Sequence, residues 1–466
     1  MGRKEKREKQ EQIGNDADNL CKVINKKFPK LWETIDQMAD PRDTRYTVYN
    51  QKELIAPLIM KNLTGLKSMN EMTERFNDNN IIGNIVRMTK SKHDEIPHFV
   101  TCNNYLENLE PECLEDVRYQ MVNRLIRGKT YDDSRLYKHW MVIIDATRLH
   151  RFKDQNDEYC LHSTYNKGTD KEFTDWYHNV LEAKIVMRDM VFSLATEFIE
   201  NSSEDEERQK KMNAEQIKQD CEIKAFKRLA AKLHDLFPRL PICILADGLY
   251  VGEPVFEICE KYGWDYIIRF KDGCMSSVAD EFEALKDRDP GNKKILTVTE
   301  AKGTLTIKKT FKWVNEIETD KKRKLNVLEL VEEITDKSSG KTEVKTFKWV
   351  TSREIKQQNA VALARNGRKR WKIENQGFNT QKNHNGYITH VNSRNYTAMK
   401  NHYLIHQIAD IIRQLYTYQN YVKKEIEMSI KNISSRLLIA FGRPFAVVED
   451  ILSEEQDEPQ PDPVPL

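Results

Sequence analysis

The run Trp140-Met141-Val142-Ile143-Ile144-Asp145 decides the fold. Consecutive apolar residues with no polar alternation, closed by an acid, read as a strand buried on both faces. A second run of this kind, Ile242-Cys243-Ile244-Leu245-Ala246, also closes on an acid, Asp247. Both aspartates are therefore expected where a buried strand ends. Between the two runs, residues 182–187 and 190–198 read as further strands. A charged interruption at 201–208 then leads into a long helix over about 211–236, stopped by Phe237-Pro238. A helix over 254–262 and a strand over 266–270 follow. Three strands, helix, strand, helix, strand predict an α/β domain with a mixed sheet, antiparallel first and then parallel through helical crossovers.

The flanks read differently. Residues 17–39, 51–64 and 113–127 carry apolar positions at helical spacing, among them Leu114, Val117, Met121 and Leu125, so residues 1–135 form a helical N-terminal domain, either DNA-binding or plain packing. Residues 136–275 form the first part of the α/β domain, and 276–352 a β-rich insertion with strands near 295–299, 304–310, 326–334 and 342–350. The word Lys-Thr-Phe-Lys-Trp-Val occurs at 309–314 and again at 345–350. Two copies are too few for a repeat architecture, and they read as two strands of that insertion. Residues 353–440 return to helix, and 441–466 form an acidic, proline-bearing tail.

At 466 residues, with 32% charged and 39% hydrophobic, the chain has the composition of a globular protein with a sizeable core. No apolar run approaches the roughly 18 residues that would span a membrane, and no secretory signal is evident. The eight cysteines form no CxxC pair and no Cys/His metal spacing. They read as reduced thiols of an intracellular protein, and structural zinc is not expected. The net charge of +2 hides segregation: residues 353–400 hold ten Lys and Arg against two acids, Glu354 and Glu374, a local net of +8. That distribution suggests a face built for phosphates.

Glu374 lies inside this basic run, Arg368-Lys369-Arg370-Trp371-Lys372-Ile373-Glu374. Three acids from separate rigid elements, Asp145, Asp247 and Glu374, are the donor set for hard divalent cations. A pair of such ions about 3.5–4 Å apart serves phosphodiester chemistry. Taken singly, each acid has an ordinary explanation. An Asp after a strand serves as a turn residue or helix cap, and Glu374 can pair with Arg370 one turn earlier. The combination of two strand acids and one on a basic helix, after a β insertion, is the more specific feature.

With the segments Ile143-Ile144-Asp145-Ala146-Thr147-Arg148, Leu245-Ala246-Asp247-Gly248-Leu249-Tyr250 and Arg370-Trp371-Lys372-Ile373-Glu374, the chain resembles the DDE transposases of the IS4-like group. The resemblance covers roughly residues 138–416. It implies a ribonuclease H-like catalytic domain interrupted by a β insertion, and metal-binding roles for Asp145, Asp247 and Glu374. In the family signature Arg370 stands where the arginine should, but the Tyr position is Gly367. The Lys position is Gln381, with Lys382 one residue later, a shift of about 100° on a helix.

The expected cofactor is Mg2+ or Mn2+, two ions per site. Expected partners are double-stranded DNA, as terminal inverted repeats and as target, and a second copy of the chain in a synaptic homodimer. The expected place is the cytoplasm, at the nucleoid. Arg148, Arg365, Arg368, Lys369, Arg370, Lys372 and Lys382 are candidates for phosphate contact. Trp313 and Trp349 either stack on an unpaired base or pack a small β core. Trp371 reads as a packing residue, Arg148 and His150 either as neighbours of the scissile phosphate or as part of a surface hairpin, and His390 as an assistant or a structural histidine. Two other functions use the same residues: a structure-specific nuclease without strand transfer, and a DNA-binding protein that has lost catalysis.

Overall fold

The computed structural model describes residues 16–200, 214–271, 273–299, 304–419 and 428–444. The basic first ten residues, the charged stretch 201–208 and the acidic tail beyond residue 444 lie outside them. The chain divides into two compact units, one formed by 125–379 and the other by residues up to 124 together with those from 380 onward. The division at 379/380 falls inside the segment that the sequence reading assigned to one helical part, 353–440.

The unit 125–379 is built on a ten-stranded mixed sheet: β1 (Trp140–Phe152), β2 (Leu161–Tyr165), β3 (Phe173–Met187), β4 (Met190–Ile199), β5 (Ile242–Ala246), β6 (Asp265–Arg269), β7 (Lys293–Thr299), β8 (Leu305–Glu318), β9 (Lys324–Asp336) and β10 (Thr342–Thr351). The path across it is β2-β3-β1-β5-β6-β10-β9-β8-β7, with β4 also paired to β3. β1 runs antiparallel to β3 and parallel to β5, and β5 parallel to β6. This mixed α/β arrangement is compatible with a ribonuclease H-like transposase.

Two expectations change in detail. β1 does not end at Asp145 but continues to Phe152, because β3 is long enough to pair with it beyond the point where β5 stops. The strands read as a β-rich insertion over 276–352 lie in the same sheet as the others. β10 pairs with β6, so they prolong the same sheet. The two copies of Lys-Thr-Phe-Lys-Trp-Val lie on either side of β9 in matching register: Phe311 and Phe347 both face Leu330, and Trp313 and Trp349 both face Leu328.

Side chains alternate along a strand with a period of two. Met141 and Ile143 of β1, Cys243 and Leu245 of β5 and Ile267 of β6 therefore share a face. They form one buried cluster with Trp313, Trp349, Leu363, Ala364, Ile373 and Phe378. What covers this face is the helix Ala360–Gly367, a 3₁₀ turn Arg368–Arg370 and a π-helical segment Ile373–Phe378. The helix Ala214–Leu236 packs on β3 and β4.

The other unit is helical. The long helix Tyr396–Gln419 packs on Asp16–Lys27, Gln51–Leu63 and Phe99–Asn108. Asn401 donates to the carbonyls of Leu106 and Leu109 at 2.8 and 2.7 Å, and the Tyr416 hydroxyl donates to Asp16 at 2.7 Å. These bonds tie residues after 380 to the N-terminal helices, the physical reason why the chain end belongs here. No helix among the described residues is long and apolar enough to cross a membrane.

Candidate active site

Asp145 lies two residues beyond Ile143, and Asp247 two beyond Leu245, and Ile143 is the register partner of Leu245. Asp145 thus lies in β1 just past its last pairing with β5, and Asp247 directly follows the end of β5, each two residues on from side chains of the face that Ile373 and Phe378 cover. The 3₁₀ turn Arg368–Arg370 packs on β5, and the π segment packs on β1 and β4, which carries Glu374 to the same place. A π turn inside a helix is a rare conformation found often at functional sites.

Arg370 links two of the acids. Its Nη1 lies 3.5 Å from Asp145 Oδ2 and 3.2 Å from Glu374 Oε1. The Lys271 Nζ lies 3.2 Å from Asp247 Oδ2, while Asp247 Oδ1 accepts from the backbone N–H of Leu249 at 2.9 Å. Asp247 therefore also caps the turn Gly248–Tyr250, as the ordinary explanation required. Burial pushes Asp145 up to about 7. Arg370 opposes this, and the charges of Glu374, Asp247 and Glu222 add to it. Asp145 thus feels the charges of three other acids, Glu374, Asp247 and Glu222.

All donors here are carboxylate oxygens, the chemistry that Mg2+ or Mn2+ takes. Among the described residues, however, the acids are not the group whose ligand atoms all lie within 4.8 Å of one another. Arg370 and Lys271 occupy the carboxylates. The residues fit a pair of divalent ions in donor type, provided that these two cations give way.

The basic run is less exposed to a phosphate than its composition suggested. Arg368 is bridged to Glu332 at 2.7 Å, Lys372 to Asp189 at 2.9 Å, and Arg370 is buried against the acids. Arg148 is bridged to Asp175 at 2.9 Å and lies over the Tyr177 ring. Arg365 is exposed and Lys369 half-buried. Partial burial holds Lys369 below the usual lysine range, and Lys372 and Arg365 press it further down. Lys382 and His390 belong to the helical unit, where His390 is lowered by burial and by Lys61 and Lys67.

Four aromatic and histidine side chains find their places. Trp313 and Trp349 are 1% and 2% exposed, so neither offers a ring face to a base, and they pack the core instead. Trp371 is 51% exposed with Arg370 against its ring, so it is a surface ring beside Glu374 rather than a packing residue. His150 contacts His178, away from the acids.

Sequence reasoning missed Lys271 and Glu222. A lone Lys after β6, and a Glu on a mixed-charge helix, carry no pattern that singles them out. The glycine in the Tyr position now has a cause. A Cβ on Gly367 would come within 2.6 Å of the Trp349 indole, so the tryptophan from β10 fills that space. Gly367→Ala is expected to cost about 1–3 kcal/mol by overpacking, read as a lower denaturant midpoint with unchanged slope. A midpoint at or above that of the parent protein would contradict the Trp349 contact.

No curated protein matches the chain. The family model described as the transposase DDE domain matches residues 218–409, a stretch that contains Asp247 and Glu374 and begins after Asp145, and this match supports a DDE transposase.

Proposed function

We propose that the chain is a DNA transposase of the IS4-like group, which cleaves the ends of an insertion sequence and joins the freed ends to target DNA. What supports this reading is that Asp145 and Asp247 follow paired residues of neighbouring strands, while Arg370 bridges Asp145 to Glu374 on the helical cover. In the first step a water oxygen attacks the end phosphodiester and the bond to the 3′-oxygen breaks, leaving a 3′-hydroxyl and a 5′-phosphate. In the second, that 3′-oxygen attacks a target phosphodiester and displaces the target's own 3′-oxygen, which takes up the proton. Asp145, Asp247 and Glu374 would hold two Mg2+ or Mn2+ ions. Bound there, such ions activate the attacking oxygen and stabilise the leaving one.

The chain's own residues do the rest. Arg370 neutralises Asp145 and Glu374 until substrate arrives, and is then placed to meet the scissile phosphate. Lys271 does the same beside Asp247. Arg365, Lys369 and Lys372 press on one another, a repulsion that a DNA phosphate would relieve. Because two ends must be joined together, the working assembly is a homodimer on paired inverted repeats, with the helical unit as a DNA-binding element.

The test is a cleavage and joining assay on DNA carrying the ends that flank the gene, with Mg2+ present or chelated. Joined product that needs the metal supports transposition. Cleavage without joining would leave a nuclease, and neither activity would refute the reading. Replacing Arg365 and Lys369 together by Ala is expected to flatten the slope of log affinity against log salt by about 2, since each duplex phosphate contact contributes about 0.9. A double variant with the parental slope would remove both from the DNA face.

A further inference from the structure

Away from the acids, three side chains of different chemistry converge. Asp157 and Cys160 come from the turn that joins β1 to β2, and His178 from β3. The His178 Nε2 lies 3.3 Å from Cys160 Sγ, and 3.1 and 3.0 Å from the two oxygens of Asp157. One ligand atom from each residue lies within 4.8 Å of both others. Cys160 and His178 are buried, and Asp157 is largely so.

We propose that Asp157, Cys160 and His178 form a zinc site, separate from the carboxylate set, that fastens the β1–β2 turn to β3. A thiolate, an imidazole and a carboxylate are the mixed donor set that zinc takes. The soft sulfur disfavours magnesium and calcium. The distances are close to those a tetrahedral ion needs. With Zn–N near 2.0 Å and Zn–S near 2.3 Å, nitrogen and sulfur stand about 3.6 Å apart, and nitrogen and oxygen about 3.3 Å. Opening the observed contacts by a few tenths of an ångström is enough, and side-chain rotation supplies it. Asp157-x-x-Cys160 gives two ligands from one turn, and the strand pairing of β2 with β3 brings the third. Three protein ligands leave a fourth position for water.

His150 supplies the outer contact that an imidazole ligand needs. Its Nδ1 lies 3.5 Å from the Nδ1 of His178. With Nε2 of His178 turned to the metal, its Nδ1–H donates to His150, which fixes tautomer and ring orientation. The site cannot share an ion with Asp145. His178 stands four residues before Glu182, the register partner of Asp145, which is about 13 Å along the strand.

The competing arrangement is an Asp157–His178 ion pair with a thiol hydrogen bond and no metal. The full-length untagged chain, grown with added zinc and dialysed, separates the two by elemental analysis. About one zinc per chain is expected in the parent and in Asp145→Asn, falling below about 0.2 in Cys160→Ser and in His178→Gln. Full zinc content in Cys160→Ser would overturn the assignment, as would a zinc-free parent. Because the variants can fail to fold, the parent is also reconstituted with Co2+. A thiolate-to-cobalt charge-transfer band, with Cys160 protected about tenfold or more from alkylation, is expected. Absence of the band, with equal labelling of Cys160 with and without metal, refutes the site. Neither readout depends on DNA cleavage, so the result stands apart from the transposase reading.

Discussion

Replacing Glu374 by Gln is expected to lower DNA cleavage by about a thousandfold or more, while affinity for end DNA changes by less than about threefold. The amide keeps the shape of the side chain and its place on the π segment, so folding is not the cause of the loss. What disappears is one oxygen anion of the metal-binding set, and loss of metal assistance of several kcal/mol corresponds to a rate loss of this size at about 1.4 kcal/mol per decade. DNA affinity is carried by cations elsewhere, and removal of a negative charge next to Arg370 does not weaken it. Asp247→Asn is expected to behave alike, except that its lost ion pair with Lys271 frees that lysine. The measurements are single-turnover cleavage and a filter-binding titration on the same DNA. Parental cleavage by Glu374→Gln would remove the residue from the chemistry. Loss of binding in parallel would mean that it holds the cover in place instead.

Asp145→Asn should stabilise the metal-free protein, and increasingly so as pH rises. Burial and the neighbouring acids hold the Asp145 carboxyl up at about 7, whereas in the unfolded chain it titrates near 3.8. The folded state therefore binds this proton more tightly than the unfolded state. The resulting stability is present below about pH 4 and is lost as pH climbs to about 7, above which the full cost of the buried anion remains. Asparagine has no such titration. The stability gap between variant and parent is expected to widen by on the order of 3 kcal/mol from about pH 5 to pH 8. Chemical denaturation with a chelator present reads it directly. Mg2+ added at pH 8 should close much of the gap, because an ion bound only by the folded parent stabilises it by mass action. A gap independent of pH would show that Asp145 is not held among like charges.

The placement of Asp145 and Asp247 was legible because strand periodicity is local. An apolar run that closes on an acid puts the acid on a known face, and in two such runs on adjacent strands each acid comes two residues after a paired one. Glu374 stood out through charge contrast with its neighbours, and Arg370 links it to Asp145. What failed was whatever depends on a partner far along the chain. The cations of the basic run were read as phosphate contacts because Glu332 and Asp189, which take up Arg368 and Lys372, lie on strand β9 and at the β3–β4 turn. The burial of Trp313 and the exposure of Trp371 were hidden for the same reason, since exposure is decided by what the cover leaves bare. The Asp157, Cys160 and His178 group escaped notice because its third ligand arrives through strand pairing rather than through spacing.

The twin hexapeptides beside β9 carry a hazard for assembly of the sheet. Either copy presents the same Phe and Trp to Leu330 and Leu328, so each edge of β9 can recruit the wrong word during folding. Hydrophobic pattern alone does not choose between them. The choice falls to contacts that only one copy can make: β10 alone continues to β6, through Trp349 opposite Arg269 and Val350 opposite Ile268, while β8 slips register after Val314. Correct docking therefore waits for β6 to be in place, an order of events that makes this half of the sheet a late and slow step.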